Sequence, residues 1–377
     1  MSKIKFYIVL FIAAVTINSC KNDDDDVEIT PPRPYDEQYP KDIAMIEDYL
    51  KANYITVVNA PGETKDQDVT IAKLDADHTV SIWDQKEYAL VSRDVKLHGI
   101  TYKLYYLILR QGVGEKPCNV DDVFASYNGK YLAETTTDNV TNITANLFEE
   151  VIYPQKYMNL YDVVRGWKEI FPQFKSGEVV SNSDGTVKYN NFGAGVMFIP
   201  SGLGFYSSAQ PGIPAYSPLV FSFKLYGINR SDMEFKIGGT SYVSDPDGVL
   251  SYQEDRDGDG YVWTTAELPE GAVNPDDTDK DGTPDFLDFD DDGDNYATKA
   301  EIKDANGKYY PYGALEDDSL TPDIDESYGI PRKYTGELTN PNLPESETNP
   351  RKSVPADFRD PNRLRRHLDP TCHDTSK

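Results

Sequence analysis

Carboxylates are concentrated in one stretch of the chain, where their spacing is regular. The 377 residues include 64 Asp or Glu and 37 Lys or Arg, which gives a formal net charge of −27. Residues 251–302 carry 14 of these 27 excess negative charges, and three runs within them have acids at every second position. The runs are Asp255-x-Asp257-x-Asp259, Asp277-x-Asp279-x-Asp281 and Asp290-x-Asp292-x-Asp294. Packed carboxylates repel one another unless a cation neutralises them, and Ca²⁺ prefers oxygen ligands, so the pattern predicts Ca²⁺ sites.

The residues after the third run predict how a loop would close around the ion. Side chains with oxygen stand at loop positions 1, 3, 5, 9 and 12, and an Asn stands at position 6. These residues are Asp290, Asp292, Asp294, Thr298, Glu301 and Asn295. The pattern resembles the EF-hand Ca²⁺ loop, with Asn in place of the usual Gly at a position that requires a left-handed backbone.

The other two runs differ in how they close. Asp285 and Asp288 follow the second run, which resembles a thrombospondin type 3 repeat. Glu267 follows the first run at position 13 rather than 12. We expect structural Ca²⁺ with extracellular affinities of about 10⁻⁴–10⁻³ M. The alternative is a solvated acidic linker.

Four ordered blocks between Tyr102 and Ile228 resemble the FKBP-type peptidyl-prolyl isomerase domain. The blocks are Tyr127-Asn128-Gly129, Val163-Val164-Arg165-Gly166-Trp167, the run from Phe198 to Phe205, and the run from Gly212 to Phe221. The resemblance implies an α+β fold, in which an antiparallel sheet wraps one short helix. It also implies isomerisation of X–Pro bonds without a catalytic cofactor.

The resemblance places a pocket on this domain. Trp167 would form its floor, and Glu149 would match the family's pocket aspartate. The walls would be Tyr127, Phe148, Val163, Val164, Phe205, Ile213 and Phe221. Amide resonance is the barrier to rotation, about 18–20 kcal/mol, so an apolar cavity that fits the twisted amide lowers it without acid, base or nucleophile.

Three departures from the family pattern predict a weak activity. Phe205 stands where a tyrosine hydroxyl usually binds a substrate carbonyl, and Tyr206 stands where glycine is usual. Glu149 is one methylene longer than the family's aspartate. Insertions fall at residues 134–145 and 181–195. Loss of one hydroxyl contact costs about 0.5–1.5 kcal/mol, or at most about tenfold in rate.

Hydrophobic patterns predict the elements that position these residues. Asp42 is expected to cap a helix over 42–52, and alternation over 69–84 predicts a strand. Dense β-branched and aromatic runs predict strands over 100–109, 123–132, 196–200 and 219–228, with a short helix over 163–170. The domains expected are a signal peptide (1–19), an acidic and Pro-rich tether (20–40), an α/β segment (41–100), the FKBP-type domain (101–230), Ca²⁺ loops (251–302) and an extended polar tail (303–377).

The N-terminus predicts a membrane anchor. Two lysines precede an apolar run, Phe6–Ile17, whose twelve residues are too few to span a bilayer. Asn18-Ser19-Cys20 resembles a bacterial lipobox, in which Cys20 is acylated. The acids Asp23–Asp26 resemble the signal that sends Bacteroidetes lipoproteins to the outer face of the outer membrane. The alternatives are an ordinary secretory signal and a periplasmic location.

The sequence thus predicts a lipoprotein foldase at the outer membrane, held through lipid on Cys20. Its partners would be proline-containing exported chains and an outer-membrane protein or secretion pore. The charge of −27 excludes nucleic acid as a partner. The rival hypothesis is an inactive adaptor of the same fold in an outer-membrane complex, ordered by Ca²⁺. A third is that the Ca²⁺ region is an adhesive surface.

Overall fold

An antiparallel sheet of seven strands forms the centre of the fold. The computed structural model describes residues 31–137, 140–181, 185, 187–238, 241–303, 307–310, 329–344, 346, 348–349, 351–357 and 364–372. Residues from Tyr35 onward form one compact unit. The predicted signal peptide and Cys20 lie outside the described residues and stay predictions.

Fifteen strands and three α-helices occur in the described part of the chain. The helices are α1 (Tyr35–Ala52), α2 (Arg165–Ile170) and α3 (Thr298–Glu301). The strands are β1 (Asn53–Val57), β2 (Val69–Lys73), β3 (Ala89–Leu97), β4 (Ile100–Arg110), β5 (Asp122–Thr137), β6 (Val140–Val151), β7 (Met158–Asn159), β8 (Glu178–Ser181), β9 (Val187–Asn190), β10 (Gly193–Ile199), β11 (Leu219–Asn229), β12 (Phe235–Gly238), β13 (Ser241–Ser244), β14 (Lys333–Leu338) and β15 (Arg351–Asp357). No described helix is both long and apolar enough to cross a membrane.

The central sheet has the order β3-β4-β10-β11-β5-β6, with β7 beside β5, and it is covered on both faces. Met197 and Phe221 belong to the cluster that includes Trp167 of α2, whereas Val196 and Phe198 belong to the cluster that includes Leu50 of α1. Successive strand residues point to opposite faces, so a strand covered on both sides is apolar throughout. This explains why every residue of β10 is buried. The predicted α+β class is therefore confirmed.

The helix predicted over 42–52 begins seven residues earlier, at Tyr35. Part of the predicted tether is therefore helical, including Pro40. The ring of Tyr35 stacks on Tyr206 at 4.1 Å, and Tyr39 contacts the edge of Tyr102 at 4.9 Å. We infer that these aromatic contacts offset the helix hydrogen bond that Pro40 cannot donate.

Asp42 is therefore not the N-cap that the sequence predicted. Its side chain is buried inside α1, where Oδ2 accepts hydrogen bonds from the Ser201 backbone N–H at 2.8 Å and from the Ser201 hydroxyl at 2.6 Å. Gln38 donates to Oδ1 at 2.6 Å. Asp42 thus ties α1 to the loop after β10, a contact between distant residues that local sequence cannot predict.

The strand predicted over 69–84 ends at Lys73 as β2. Ile82 is fully buried but lies outside any strand, and its backbone N–H donates to the carbonyl of Asn53 at the start of β1. Val80 is 56% exposed, so the apparent alternation does not mark one buried face. The strands predicted over 100–109, 123–132, 196–200 and 219–228 are confirmed as β4, β5, β10 and β11.

The two insertions and the tail contain regular structure. The insertion at 134–145 lengthens the β5–β6 hairpin, and the one at 181–195 includes much of the β8–β9 hairpin. The tail, predicted to be extended throughout, pairs β14 with β15 and buries Arg366 and His367. The Arg366 N–H donates to the Pro331 carbonyl, so the tail folds back on itself. Cys118 and Cys372 are both buried, and neither forms a disulfide within the described residues.

Candidate functional site

Four aromatic rings meet where α2 packs against β5, β6 and β11. The ring of Trp167 lies 5.1 Å from Tyr127 and 5.1 Å from Phe221, with interplanar angles of 86° and 89°. Phe148 lies 5.6 Å from Phe221, at 88°. These edge-to-face arrangements are the favourable ones for aromatic pairs. The structure thus brings together four aromatic residues that are far apart in sequence.

The backbone beside these rings has a special geometry. A β-bulge between Gly129 and Lys130 leaves Phe148 without a residue opposite it in the pairing of β5 with β6. A Cβ on Gly129 would lie 2.7 Å from the rings of both Phe148 and Phe221. Glycine is therefore required at position 129, because any side chain would displace one of the two rings.

The remaining predicted pocket residues lie in the same cluster. Ile213 is buried, and Val163, Val164 and Phe205 are partly buried against it. Val164 has extended backbone angles (φ −60°, ψ 147°), and α2 begins at the next residue, so the helix predicted over 163–170 is shorter by two residues at its start. The cluster combines branched aliphatic and aromatic groups, the composition of an apolar ligand site.

Polar groups at this cluster are few. Burial, and then a hydrogen bond to Glu149 and the negative charge of Glu149, raise the pKa of Tyr127. Glu149 itself is exposed, so it lies at the rim. Among the described residues, the buried Trp167 Nε1–H has no hydrogen-bond acceptor. Tyr206 has φ +51°, in the left-handed region that favours glycine.

A cavity of about 460 Å³ lies beside β5 and β11, and Tyr127 of the Trp167 cluster is among the residues that line it. Its lining includes the charged residues Asp68, Lys130, Glu150 and Lys224. A lining of this kind suits a polar ligand rather than a proline ring. The Trp167 cluster is therefore the better candidate for an apolar substrate.

The C-terminal extension (residues 245–303) packs directly on α2, a contact that the sequence does not predict. The Arg165 guanidinium lies 3.4 Å from the centroid of the Trp263 ring and donates to the Glu267 carbonyl at 2.9 Å. Lys168 forms an ion pair with the Glu267 carboxylate at 2.7 Å. Glu267 also accepts from the Thr264 hydroxyl at 2.9 Å. The Glu267 carboxylate is thus engaged by Lys168 and Thr264 at the contact with α2.

Glu169 is the centre of this contact. Its carboxylate is buried and accepts from Arg93 at 2.6 Å and from Arg165 at 2.8 Å. The Tyr261 hydroxyl donates to the Glu169 carbonyl at 2.8 Å, and the Arg93 guanidinium lies 4.3 Å from the Tyr261 ring centroid. The helix that carries Trp167 is therefore held by residues of the extension.

The three acidic runs share one loop conformation. In each run, oxygens of the three alternate carboxylates lie within 4.8 Å of one another. The first Asp of each run accepts a hydrogen bond from the backbone N–H at position 6, at 2.7, 3.1 and 2.9 Å. Position 6 has φ +88° at Gly260, +102° at Gly282 and +74° at Asn295. The left-handed backbone predicted at Asn295 is therefore confirmed.

The residues expected to close the loops differ in their surroundings. Burial, then the charges of Asp292 and Asp294, raise the pKa of Glu301 to about 10. Its Oε1 has no hydrogen-bond partner among the described residues, which suits a ligand of the third loop. Burial, then the charges of Asp281 and Asp279, raise the pKa of Asp288 to about 6, so Asp288 lies near the second run.

Two other carboxylates have surroundings that the sequence pattern does not specify. Both oxygens of Asp285 accept from Thr278, at 2.7 Å from the backbone N–H and 2.6 Å from the hydroxyl. Asp285 therefore holds the second loop in shape, a contact that spacing cannot reveal. Asp276 was not predicted as a site residue. Burial, then the charges of Asp255, Asp257 and Asp259, raise its pKa to about 7, so it lies near the first run.

Comparison with known proteins gives matches to parts of the chain. Residues 244–323 match the model of a family described as BamM C-terminal. A peptidyl-prolyl cis-trans isomerase from Pseudomonas syringae pv. tomato str. DC3000 is 15% identical over 53% of this chain and 100% of that chain, with a TM-score of 0.29. FkpA from Escherichia coli is 26% identical over 34% of this chain and 48% of that chain, with a TM-score of 0.25. TM-scores below 0.5 are too low to establish a shared fold. A search of curated proteins finds no match.

Proposed function

We propose that the protein is an FKBP-type peptidyl-prolyl cis-trans isomerase that acts on X–Pro bonds of exported proteins. The observation that carries this proposal is the meeting of Trp167, Tyr127, Phe148 and Phe221 in one cluster. The order of the four sequence blocks supports it independently. The proposed fold is FKBP-like, with the sheet packed on α2, and α1 is an addition on its other face.

The pocket acts by excluding water from the amide. A proline ring would contact Trp167, with Val164 and Phe221 beside it. In an apolar environment the planar amide loses the hydration that stabilises its charge separation, so the twisted form becomes relatively more favourable. Glu149 lies close enough to the Tyr127 hydroxyl to raise the Tyr127 pKa. Catalysis requires no metal in this mechanism, and the three acidic loops would hold Ca²⁺ for structure.

The proposed location is the outer membrane, with an acylated Cys20 as the anchor and the folded unit at the cell surface. Its support is the apolar run, Cys20 and the acids Asp23–Asp26. The match of residues 244–323 to the BamM C-terminal family favours association with an outer-membrane complex. The same match supports a second candidate function, an adaptor within such a complex whose pocket binds without catalysis.

Replacement of Trp167 tests the enzyme directly. We expect the full chain, purified in detergent, to accelerate isomerisation of an X–Pro peptide, and Trp167→Leu to lower kcat/KM by about 10- to 70-fold. Loss of about 60–100 Å² of apolar contact, at about 25 cal/mol per Å², corresponds to about 1.5–2.5 kcal/mol. The assay is the slow cis-to-trans phase of the peptide, measured with excess Ca²⁺.

Phe174→Leu is the matched control, because Phe174 is buried in the same cluster but is not a proposed pocket wall. This variant should lose stability and keep its kcat/KM. Acceleration that is equal in the wild type and in Trp167→Leu would contradict the proposed pocket. A folded wild type that does not accelerate isomerisation would favour the adaptor.

Phe205→Tyr should increase the activity. The new hydroxyl would bind a substrate carbonyl, as the family's tyrosine does, and one such contact is worth about 0.5–1.5 kcal/mol, or up to about tenfold in kcat/KM. The same peptide assay measures the change, with Tyr54→Phe on β1 as a control for tyrosine chemistry away from the proposed site. An unchanged or lower kcat/KM would mean that residue 205 does not face the substrate carbonyl.

A further inference from the structure

Three buried carboxylates outside the alternating positions of the acidic runs lie together. Asp247 follows β13, Glu254 directly precedes the first run, and Asp291 is the second residue of the third run. Their ligand oxygens lie within 4.8 Å of one another. The three residues are 1%, 4% and 1% exposed, whereas Asp257 and Asp259 of the first run are exposed. This group is thus inside the extension and joins three of its segments.

The carboxylates of this group lack partners. Both oxygens of Glu254, both oxygens of Asp291 and Oδ2 of Asp247 make no hydrogen bond in the described part of the chain. Asp247 Oδ1 accepts from the Val249 N–H at 2.7 Å. The Thr298 hydroxyl accepts from the Asp291 backbone N–H at 3.2 Å, but it makes no hydrogen bond to the Asp291 carboxylate. Within the described residues, none of the three forms an ion pair. Uncompensated negative charge on these buried carboxylates would strongly destabilise the folded state.

A neighbouring pair of carboxyl groups, Asp232 and Glu234, shows how protonation can reduce the repulsion between buried carboxylates without an ion. Glu234 is fully buried, and burial, then a hydrogen bond with Asp232 and the charge of Asp247, raise its pKa strongly. A protonated Glu234 would therefore be able to donate to Asp232, and the ligand oxygens of Asp232, Glu234 and Asp247 also lie within 4.8 Å of one another. Glu254 has no such bond, since burial and then the charges of Asp291, Glu234, Asp247 and Asp285 raise its pKa. Protons alone would leave the oxygens of Glu254 and Asp291 without partners.

We propose that Asp247, Glu254 and Asp291 bind one divalent cation of the Ca²⁺ class, at a site additional to the three acidic loops. Three carboxylates converging in a buried space match the hard oxygen ligands and the charge that such a cation requires. The ion would fasten the segment after β13 to the first and third loops. The site does not depend on the isomerase activity.

The test counts ions in the full chain. Bound Ca²⁺ is measured by equilibrium dialysis and atomic emission for the wild type, for Glu254→Gln combined with Asp291→Asn, and for Asp232→Asn as the matched control. We expect the double variant to lose one ion per chain and Asp232→Asn to lose none. The melting temperature of the double variant should fall in Ca²⁺ and rise in chelator, because the substitution removes both the ligands and their repulsion.

An unchanged ion count, or a melting temperature that rises in both conditions, would overturn the proposal. If the double variant does not fold, crystals of the wild-type protein soaked in Tb³⁺ give the answer through anomalous scattering. A peak between the three carboxylates supports the site, and peaks confined to the three loops overturn it. A parallel dialysis with Mg²⁺ alone distinguishes Ca²⁺ from the smaller cation, and Mg²⁺ bound as tightly as Ca²⁺ would overturn the assignment to the Ca²⁺ class.

Discussion

Removal of divalent cations is expected to lower the free energy of unfolding of residues 245–303 by about 4 kcal/mol. A site at a ligand concentration ten times its Kd adds about 1.4 kcal/mol, and the three acidic loops give three such terms. The physical reason is that the carboxylates of each run converge within 4.8 Å and repel one another when no cation is present. Binding energy at such sites is folding energy.

Limited proteolysis and thermal unfolding measure this effect. In chelator, cleavage should begin within residues 245–303, while the sheet from β3 to β11 stays protected. Addition of Ca²⁺ should restore protection. Excess Mg²⁺ should restore less of it, because Mg²⁺ demands a stricter octahedral geometry and gives up its water reluctantly. Equal cleavage with and without chelator would show that the runs fold as a solvated acidic linker.

Chelation should also lower kcat/KM for the X–Pro peptide if the isomerase proposal holds. Tyr261 and Trp263 closely follow the first acidic run. Tyr261 contacts Glu169 of α2, and Trp263 contacts Arg165 of α2. Because Trp167 lies on the same helix, loss of these contacts should loosen the floor of the pocket. Unchanged kcat/KM alongside rapid cleavage of the extension would mean that α2 keeps its position without them.

Structural features that depend on neighbouring residues could be predicted from the sequence. The run of β4 is apolar and aromatic enough to define a strand, and the spacing of the acidic runs placed Asn295 at a left-handed position that the structure contains. Both features follow from local geometry. The order of the four blocks also indicated which aromatic residues share a cluster, although spacing alone would have assigned them to an ordinary core.

Features that depend on contacts between distant residues could not be predicted from the sequence. The first turns of α1 are stabilised by contacts of Tyr35 with Tyr206 and of Tyr39 with Tyr102. The Pro-rich composition of this segment predicted a tether instead, because these contacts come from distant parts of the chain. Asp291 looks like any other acid of its run, and only the folded chain shows it buried beside Asp247 and Glu254. Glu169 gives no signal in sequence, because Arg93 lies 76 residues away.

Glu169→Gln is expected to lower the free energy of unfolding by about 2–4 kcal/mol. Removing one partner of a buried ion pair costs about 3–5 kcal/mol because the other charge is left without compensation, and we take a lower range since Arg93 remains 31% exposed. Gln has nearly the same shape, so the cavity contribution is small. The measurement is urea unfolding at saturating Ca²⁺, with kcat/KM followed in parallel.

Glu37→Gln is the matched control, because the ion pair of Glu37 with Lys41 is exposed on both sides, at 58% and 55%. An exposed pair contributes about 0–1 kcal/mol, so this variant should unfold at nearly the wild-type urea concentration. If the two variants lose equal stability, Glu169 is not the centre of the contact between α2 and the extension. Loss of stability and of kcat/KM in Glu169→Gln alone would mean that the extension supports the pocket through this one carboxylate. The acidic loops would then contribute to the activity of the proposed enzyme.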